Sequence, residues 1–434
     1  MERFRTMVAV EGSKRGLKIT VPRAAAKLLH PFETGWARLH IDGYEPAFVF
    51  VRRPPSRPYM EISLSSRTYP PELAGREIEA TIEDARPYRA PETPRLLSDG
   101  FDWLPLVHED YFPTETVDGR LVLHNRHEEP FAMKRVTPLE STYRLLGLYQ
   151  AEGAKADTVL DFRIGSTNPA LLKCFSELLT TIGLGPARQM MEIQRAHHEP
   201  QAKARAEFEI LGVEITAERF RSTESLKNHT AADLKIRNSQ PLRRLFAGAL
   251  GKVFAAGFTF PSKDTAREYA LGWLDGDGTI TIVGDTSVDL RLAGYADEHA
   301  VTNHALRTAF GWAVKGGQHT IPDYTTAITL RAHEMLQLLD AGAFMFSMSR
   351  VRLLLAFDRR TEGLRNGERH GAYARWGLVD RDGMLTDVGE AVCKGHARWA
   401  AEIKRAALLA PPSGIVREKG VANPLNVPPR RISK

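Results

Sequence analysis

Two stretches, TPLESTYRLLGLYQAEG at 137–153 and DTAREYALGWLDGDG at 264–278, decide how this chain is read. Each is an apolar run of helical period that closes on an acid followed by glycine. Leu145, Gly147, Leu148, Ala151, Glu152 and Gly153 align with Ala270, Gly272, Trp273, Gly276, Asp277 and Gly278, at an offset of 125 residues. A repeat of that size predicts two domain-sized halves.

On a helical wheel Gly147 stands four residues before Ala151, and Gly272 four before Gly276, so each helix gains one face of small residues. Two such faces can approach to backbone contact, because no large side chain holds the axes apart. Glu152 and Asp277 sit in the last turn of their helices, where the dipole makes an acid unfavourable by roughly 0.3–1 kcal/mol. The glycines that follow, Gly153 and Gly278, suit the left-handed position after a helix end. Two such ends packed together repel unless a cation lies between them. Magnesium fits best, since it prefers oxygen ligands, keeps waters and bridges to phosphate. Paired metals beside two carboxylates suit in-line attack on a phosphodiester.

The segments after each motif match in kind. The first half predicts strands near 159–164, 189–194 and 206–211, a helix near 169–182 ended by Gly183, and another near 241–250. In the second half strands are expected near 279–283, 289–293 and 325–330, with helices near 298–310 and 333–341. The economical fold is α+β, with two pseudo-symmetric αββαββ lobes at 138–258 and 259–358. Outside them, residues 1–85 alternate apolar and polar positions at Leu17–Val21, Ala37–Ile41 and Ala47–Val51, a β-rich unit. Six prolines, with Pro138 just beyond, break the stretch 86–137, read as a linker with short structure in which Phe101, Trp103 and Leu104 can dock. The segment 359–410 reads as helix, hairpin, helix, with Asp382-Gly383 as the turn and Thr386 as a cap, and 411–434 as a flexible tail.

LLGLYQAEG and ALGWLDGDG resemble the two signature helices of single-chain LAGLIDADG homing endonucleases, supported by IGSTNPALLKCFSELLTTIGLG and DGDGTITI. The resemblance covers about half the chain. It implies that the motif helices form the interface of two lobes and that the sheets make a saddle over long duplex DNA. It further implies a metal-dependent endonuclease acting as a monomer, cutting an asymmetric site to leave 3′ overhangs and serving intron homing. Glu152 and Asp277 would be catalytic, and with Gly153 and Gly278 would hold Mg2+ or Mn2+; Gly147, Ala151, Gly272 and Gly276 would form the helix interface. Arg163, Arg195, Arg205, Lys235, Arg237, Arg291 and Arg331 are candidates for the nucleic-acid face. Arg can meet phosphates or read guanine bidentately. Active members usually carry a basic residue near the scissile phosphates. Here Phe260 precedes Pro261, so Lys235, Lys263 and Arg350 are the candidate substitutes, with Lys252 and Arg352 further options. The alternatives are a catalytically weak or inactive DNA-binding transcriptional regulator derived from the same fold, or an RNA-splicing maturase that binds intron RNA.

KITVPRAAAKLL with GWARLHI is similar to the AbrB-type swapped-hairpin DNA-binding module, which works as a dimer; a generic β-barrel is the plain alternative. GLVDRDGMLTDVGEAV resembles the last helix and wing of a winged-helix domain, against a plain helical cap. LHNRHEEP lacks the second half of a His-Asn-His nuclease motif and reads as a surface loop, and His197-His198 as a hairpin tip.

Composition sets the frame. Across 434 residues, 43% are hydrophobic and 26% charged, which supports packed cores in more than one domain. A net charge of +6 gives a mild bias towards polyanions. Cys174 and Cys393 are too far apart in sequence to suggest a disulfide framework or zinc site and read as buried small apolar residues. An N-terminus without an apolar signal core suggests an intracellular protein, cytoplasmic and nucleoid-associated, that does not enter a membrane. Met1 and Lys434 do not suit a self-splicing intein.

Overall fold

The structure, a computed structural model, describes residues 2–409 apart from 12–15, 23–24, 26–33, 54–58, 65–68, 88–95, 98–99, 109, 126–129, 154–160, 197–199, 210, 221–229, 284–286, 294–295, 313–324, 346 and 370. The fold is α+β and divides into two compact units, Met1–Thr137 with Arg237–Ala249, and Pro138–Ile236 with Leu250–Lys434. No helix among the described residues is long and apolar enough to cross a membrane. The expected tail and His197-His198 lie outside the described residues.

The first unit begins with a closed antiparallel barrel of β1 (Glu2–Glu11), β2 (Gly16–Val21), β3 (Thr34–Ile41), β4 (Ala47–Arg52), β5 (Met60–Leu64) and β6 (Glu77–Pro87), in the order β1-β2-β5-β4-β3-β6. Alternation of side chains sends Leu17, Ile19 and Val21 inward from β2 to meet Leu64, Ile62 and Met60 of β5, all nearly inaccessible to solvent. The barrel is a repeat. A shift of 43 residues carries Ile19 to Ile62 and Leu39 to Ile82, and each of these residues pairs across the sheet with its own image. One chain thus supplies both halves of the barrel. Pairing of β1 with β6 closes the sheet.

The stretch read as a linker is structured. It forms β7 (Leu96–Leu97), β8 (Gly100–Asp102), β9 (Phe112–Glu115), β10 (Arg120–His124), β11 (Phe131–Lys134) and β12 (Val136–Thr137), in two three-stranded sheets. Prolines interrupt helices there but leave short strands intact. Trp103 is fully buried, donates to Thr137 Oγ1 at 2.9 Å and stacks on Phe246 at 5.1 Å. His124, expected in a surface loop, lies in β10 against Phe48 and Phe112; Arg126–Glu129 of that motif lie outside the described residues.

The second unit is organised by α1 (Leu139–Glu152) and α5 (Lys263–Asp277). Between them in sequence run β13 (Arg163–Ser166), α2 (Pro169–Thr181), β14 (Gln189–Arg195), α3 (Gln201–Glu209), β15 (Glu214–Phe220), β16 (Ala231–Ile236) and α4 (Gln240–Val253), with sheet order β13-β16-β14-β15; α4 as far as Ala249 belongs to the first unit. After α5 come β17 (Gly278–Val283), β18 (Ser287–Ala293), α6 (Ala296–Phe310), β19 (Thr325–Thr329), α7 (Ala332–Asp340), α8 (Met348–Arg365), α9 (Ala372–Arg375) and α10 (Asp387–Leu409). β17, β18 and β19 form an antiparallel sheet. Among the described residues the two halves do not show one element order; 154–160, after α1, and 313–324, before β19, where the expected αββαββ pattern would place further strands, lie outside the described residues.

The strand expected near 206–211 is instead helical. QAKARAEFE carries Lys203–Glu207 and Arg205–Glu209 ion pairs at helical spacing, and only Ala204 and Phe208, four residues apart, are buried. This helix is the crossover that lets β15 lie parallel to β14.

At the C-terminal end Gly383 turns at φ 78°, Val379 and Leu385 form a single bridge, and Thr386 Oγ1 accepts from the Gly389 amide at 3.2 Å. α10 then lies along α7 and α8. Arg398 and Trp399 bond Asp340 at 2.7 and 2.9 Å, and His396 bonds Asp358 at 2.8 Å. Cys174 and Cys393 are unbonded and half-buried.

Candidate active site

α1 and α5 cross in parallel, their acid-bearing ends on the same side. A Cβ on Gly147 would overlap the Tyr269 carbonyl and crowd the Trp273 nitrogen, while one on Gly272 would overlap the Arg144 carbonyl and crowd the Leu148 nitrogen. These contacts are reciprocal, at the same 125-residue offset that relates the motifs. The helix pair therefore has its own local two-fold. Both helices are buried nearly all round through 142–150 and 269–275, as helices in the middle of a core must be.

Towards the C-terminal ends the Ala151 and Glu152 side chains fill the space over Gly276, with Glu152 Cγ 3.0 Å from where a Gly276 Cβ would stand. Glu152 is thus beside the residue that precedes Asp277. Its carboxyl is pushed up to about 7 by loss of solvation, though the residue keeps partial exposure. Asp277 is likewise partly exposed. Two carboxyl groups and the negative ends of two helix dipoles make a hard oxygen donor set, which fits magnesium or manganese. Among the described residues no group of three or more His, Cys, Asp and Glu gathers as a metal cage.

The glycines after the acids act differently from expectation. Gly153 and Gly278 are extended, at φ −73° and −78°, and not left-handed. Space is what requires glycine there: a Cβ on Gly153 would strike Tyr149, and one on Gly278 would lie 2.6 Å from the Leu274 carbonyl and 2.9 Å from the Phe344 ring. The chain leaves each helix directly into a bridge or strand, Gly153 opposite Ile164 and Gly278 opening β17.

The candidate basic residues do not gather around the acids. Lys263 opens α5, at the far end from Asp277 by roughly 20 Å of helix. Arg350 is buried, donates to the Ala343 carbonyl at 3.0 Å, lies over Trp399 and faces Glu402 at 3.7 Å, tying α8 to α10. Arg352 bonds the Ile280 carbonyl at 3.3 Å. Lys235 is buried and bonded to Glu192 at 2.6 Å, which holds that carboxyl below its usual range. Phe260, where a basic residue was sought, packs on Tyr143, Phe258, Tyr269 and His304.

Ala232, Leu234 and Ile236 face the core, so Asp233 and Lys235 share the opposite face of the first sheet with Arg163, Glu192 and Gln194. Acids on that face engage the bases: Arg163 is 3.9 Å from Asp233, Arg219 is 3.2 Å from Glu192, and Gln194 bonds Asp233 at 2.8 Å. Arg219 was missed by sequence reading because β15 was missed; its alternating EITAERF pattern was the available signal. Arg195 closes β14 and Arg237 follows β16, both at strand ends. Arg291 is exposed in β18 on the side away from Leu290 and Leu292. Two candidates are not strand residues: Arg205 is on α3, paired with Glu209 and Glu218, and Arg331 is at the start of α7, its amide bonded to Glu334. No protein-family model matches the chain, and no curated protein matches it.

Proposed function

We propose that the chain is a divalent-metal-dependent, site-specific DNA endonuclease of LAGLIDADG type. The observation that carries this reading is the parallel, glycine-mediated crossing of α1 and α5, which sets Glu152 against the residue before Asp277. Acids at helix C-termini work against stability, and their pairing is explained by a cation. Magnesium bound there would activate water and neutralise charge on the leaving oxygen. Glu152 must give up the proton that burial favours before it can serve as a ligand, and Asp277 supplies the second carboxylate. The two sheets, in pseudo-symmetric lobes, would form the saddle for a long asymmetric duplex, with Arg163, Gln194, Arg219 and Arg291 presented to it, and cleavage would leave 3′ overhangs.

A second reading, a DNA-binding regulator that does not cut, is favoured by the positions of Lys235, Lys263 and Arg350, each committed away from the acids. Selection of cleaved sequences from a randomised duplex library with magnesium separates the two. Cleavage by the native chain, lost in Glu152→Gln and Asp277→Asn with binding retained, supports the endonuclease. Enriched binding without cutting in either metal supports the regulator.

A further inference from the structure

The local two-fold of the helix pair sends position 144 to 269 and position 150 to 275. These equivalent pairs carry different chemistry. On one side Arg144 reaches across to Asp275 and also lies 3.3 Å from Glu268. On the other, Tyr269 donates its hydroxyl to Gln150 Oε1. All of these residues are buried or nearly so. The asymmetry continues towards the acids. Asp275 precedes Asp277 by two residues, as Gln150 precedes Glu152. Phe344 is fully buried in the left-handed region at φ 59°, its ring against Gly278. An aromatic residue keeps that conformation only where its surroundings over-determine it.

One acid therefore follows a helix turn anchored by a charged pair and precedes a glycine packed on a strained loop, and the other follows a turn held across the helix pair by a neutral hydrogen bond. Rigid anchoring keeps a carboxylate close to one geometry, and both cation affinity and rate depend steeply on that geometry. We infer that Arg144 and Tyr269 are positioning residues which make the two acid sites unequal, Asp277 being the more firmly held, so that the two strands of a duplex are cut in a fixed order. The strand order rests on the endonuclease reading; the inequality of the sites does not.

The test is to make the pair symmetric, with Arg144→Tyr and Asp275→Gln together, and to break the neutral side alone with Tyr269→Phe. Manganese binding is followed by calorimetry, and nicking of each end-labelled strand is timed separately. The native chain should bind two manganese ions with affinities about tenfold apart and nick the strands at rates differing by a similar factor. Both ratios should collapse towards one in the symmetric variant and widen in Tyr269→Phe, while Arg144→Lys should keep the native order. General loss of stability would slow both strands equally and leave the ratio where it was. Ratios that stay fixed across these variants overturn the inference, as does equal or absent manganese binding in the native chain. If the symmetric variant does not fold, Tyr269→Phe decides alone. Unequal manganese sites that respond to the variants, in a chain that cuts neither strand, would uphold the positioning role and remove the endonuclease.

Discussion

The barrel and the helix pair both carry an internal two-fold, and they use it in opposite ways. In the barrel the repeat is filled with like residues: Ile19 faces Ile62, and Leu39 faces Ile82, so symmetry there builds a core. In the helix pair the crossing glycines, Leu146 with Leu271 and the two terminal acids are alike, and most other equivalent positions differ. Around them equivalent positions hold Arg144 with Asp275 but Tyr269 with Gln150, and each helix ends on an acid.

The difference can be broken most severely at the crossing. Gly147→Leu puts a side chain where the α5 backbone lies, and should destabilise the second unit by more than about 4 kcal/mol. Hydrogen exchange should show loss of protection in α1 and α5 with the barrel strands unchanged; a cooperatively folded variant with native protection would refute backbone contact at Gly147.

Truncation sharpens the contrast next. Ile19→Ala and Ile62→Ala should each cost about 2–5 kcal/mol and agree with one another, because their surroundings are equivalent. In the helix pair the equivalent deletions should disagree. Arg144→Met strands a buried carboxylate and should cost about 3–5 kcal/mol, against about 1 kcal/mol for the hydrogen bond lost in Tyr269→Phe. Urea denaturation of the four variants is the measurement, and equal costs within the helix pair would remove the asymmetry.

Acidity gives smaller effects of opposite sign in the two regions. Burial pushes the Glu152 carboxyl up to about 7 from an ordinary 4.5, so its contribution is present below pH 4.5 and lost as pH rises through 7. Glu152→Gln should then be more stable than the native chain at pH 8 by up to roughly 3 kcal/mol, and nearly matched at pH 4. Saturating magnesium should shrink that gap. Calorimetric melting at the two pH values reads it, and a gap that widens on acidification would contradict the burial of this carboxyl.

His124 runs the other way. Burial lowers it from 6.5 to about 4, so its neutral form supports the fold above pH 6.5 and that support fades as pH falls towards 4. At pH 5.5 the loss should be about 1.4 kcal/mol, absent in His124→Phe. A melting curve for the first unit that is flat between pH 7 and 5 would place His124 in solvent.

Much of this was open to reading in the chain. The spacing of Gly147 and Gly272 and the acids five residues beyond each follow from helical period alone. Pro169 and Gly183 bracket α2 by fixed backbone preferences, and the alternation at Leu17–Val21 and Ala47–Val51 gives strands β2 and β4. The barrel's repeat was not legible, because a strand repeat is written only as alternation and any apolar residue satisfies it. α3 was misread because a buried stripe of two residues looks the same in either period over so short a stretch.

Local rules thus determined which segments become helices and where two acids stand at helix ends. Only the tertiary structure decided that Arg144 faces Asp275 while Tyr269 faces Gln150, that Lys235 and Arg350 are bound to acids elsewhere, and that Gly153 and Gly278 are needed for room. Those outcomes depend on which residues distant in sequence become neighbours, and charge and volume act only once the chain has brought them within a few ångströms.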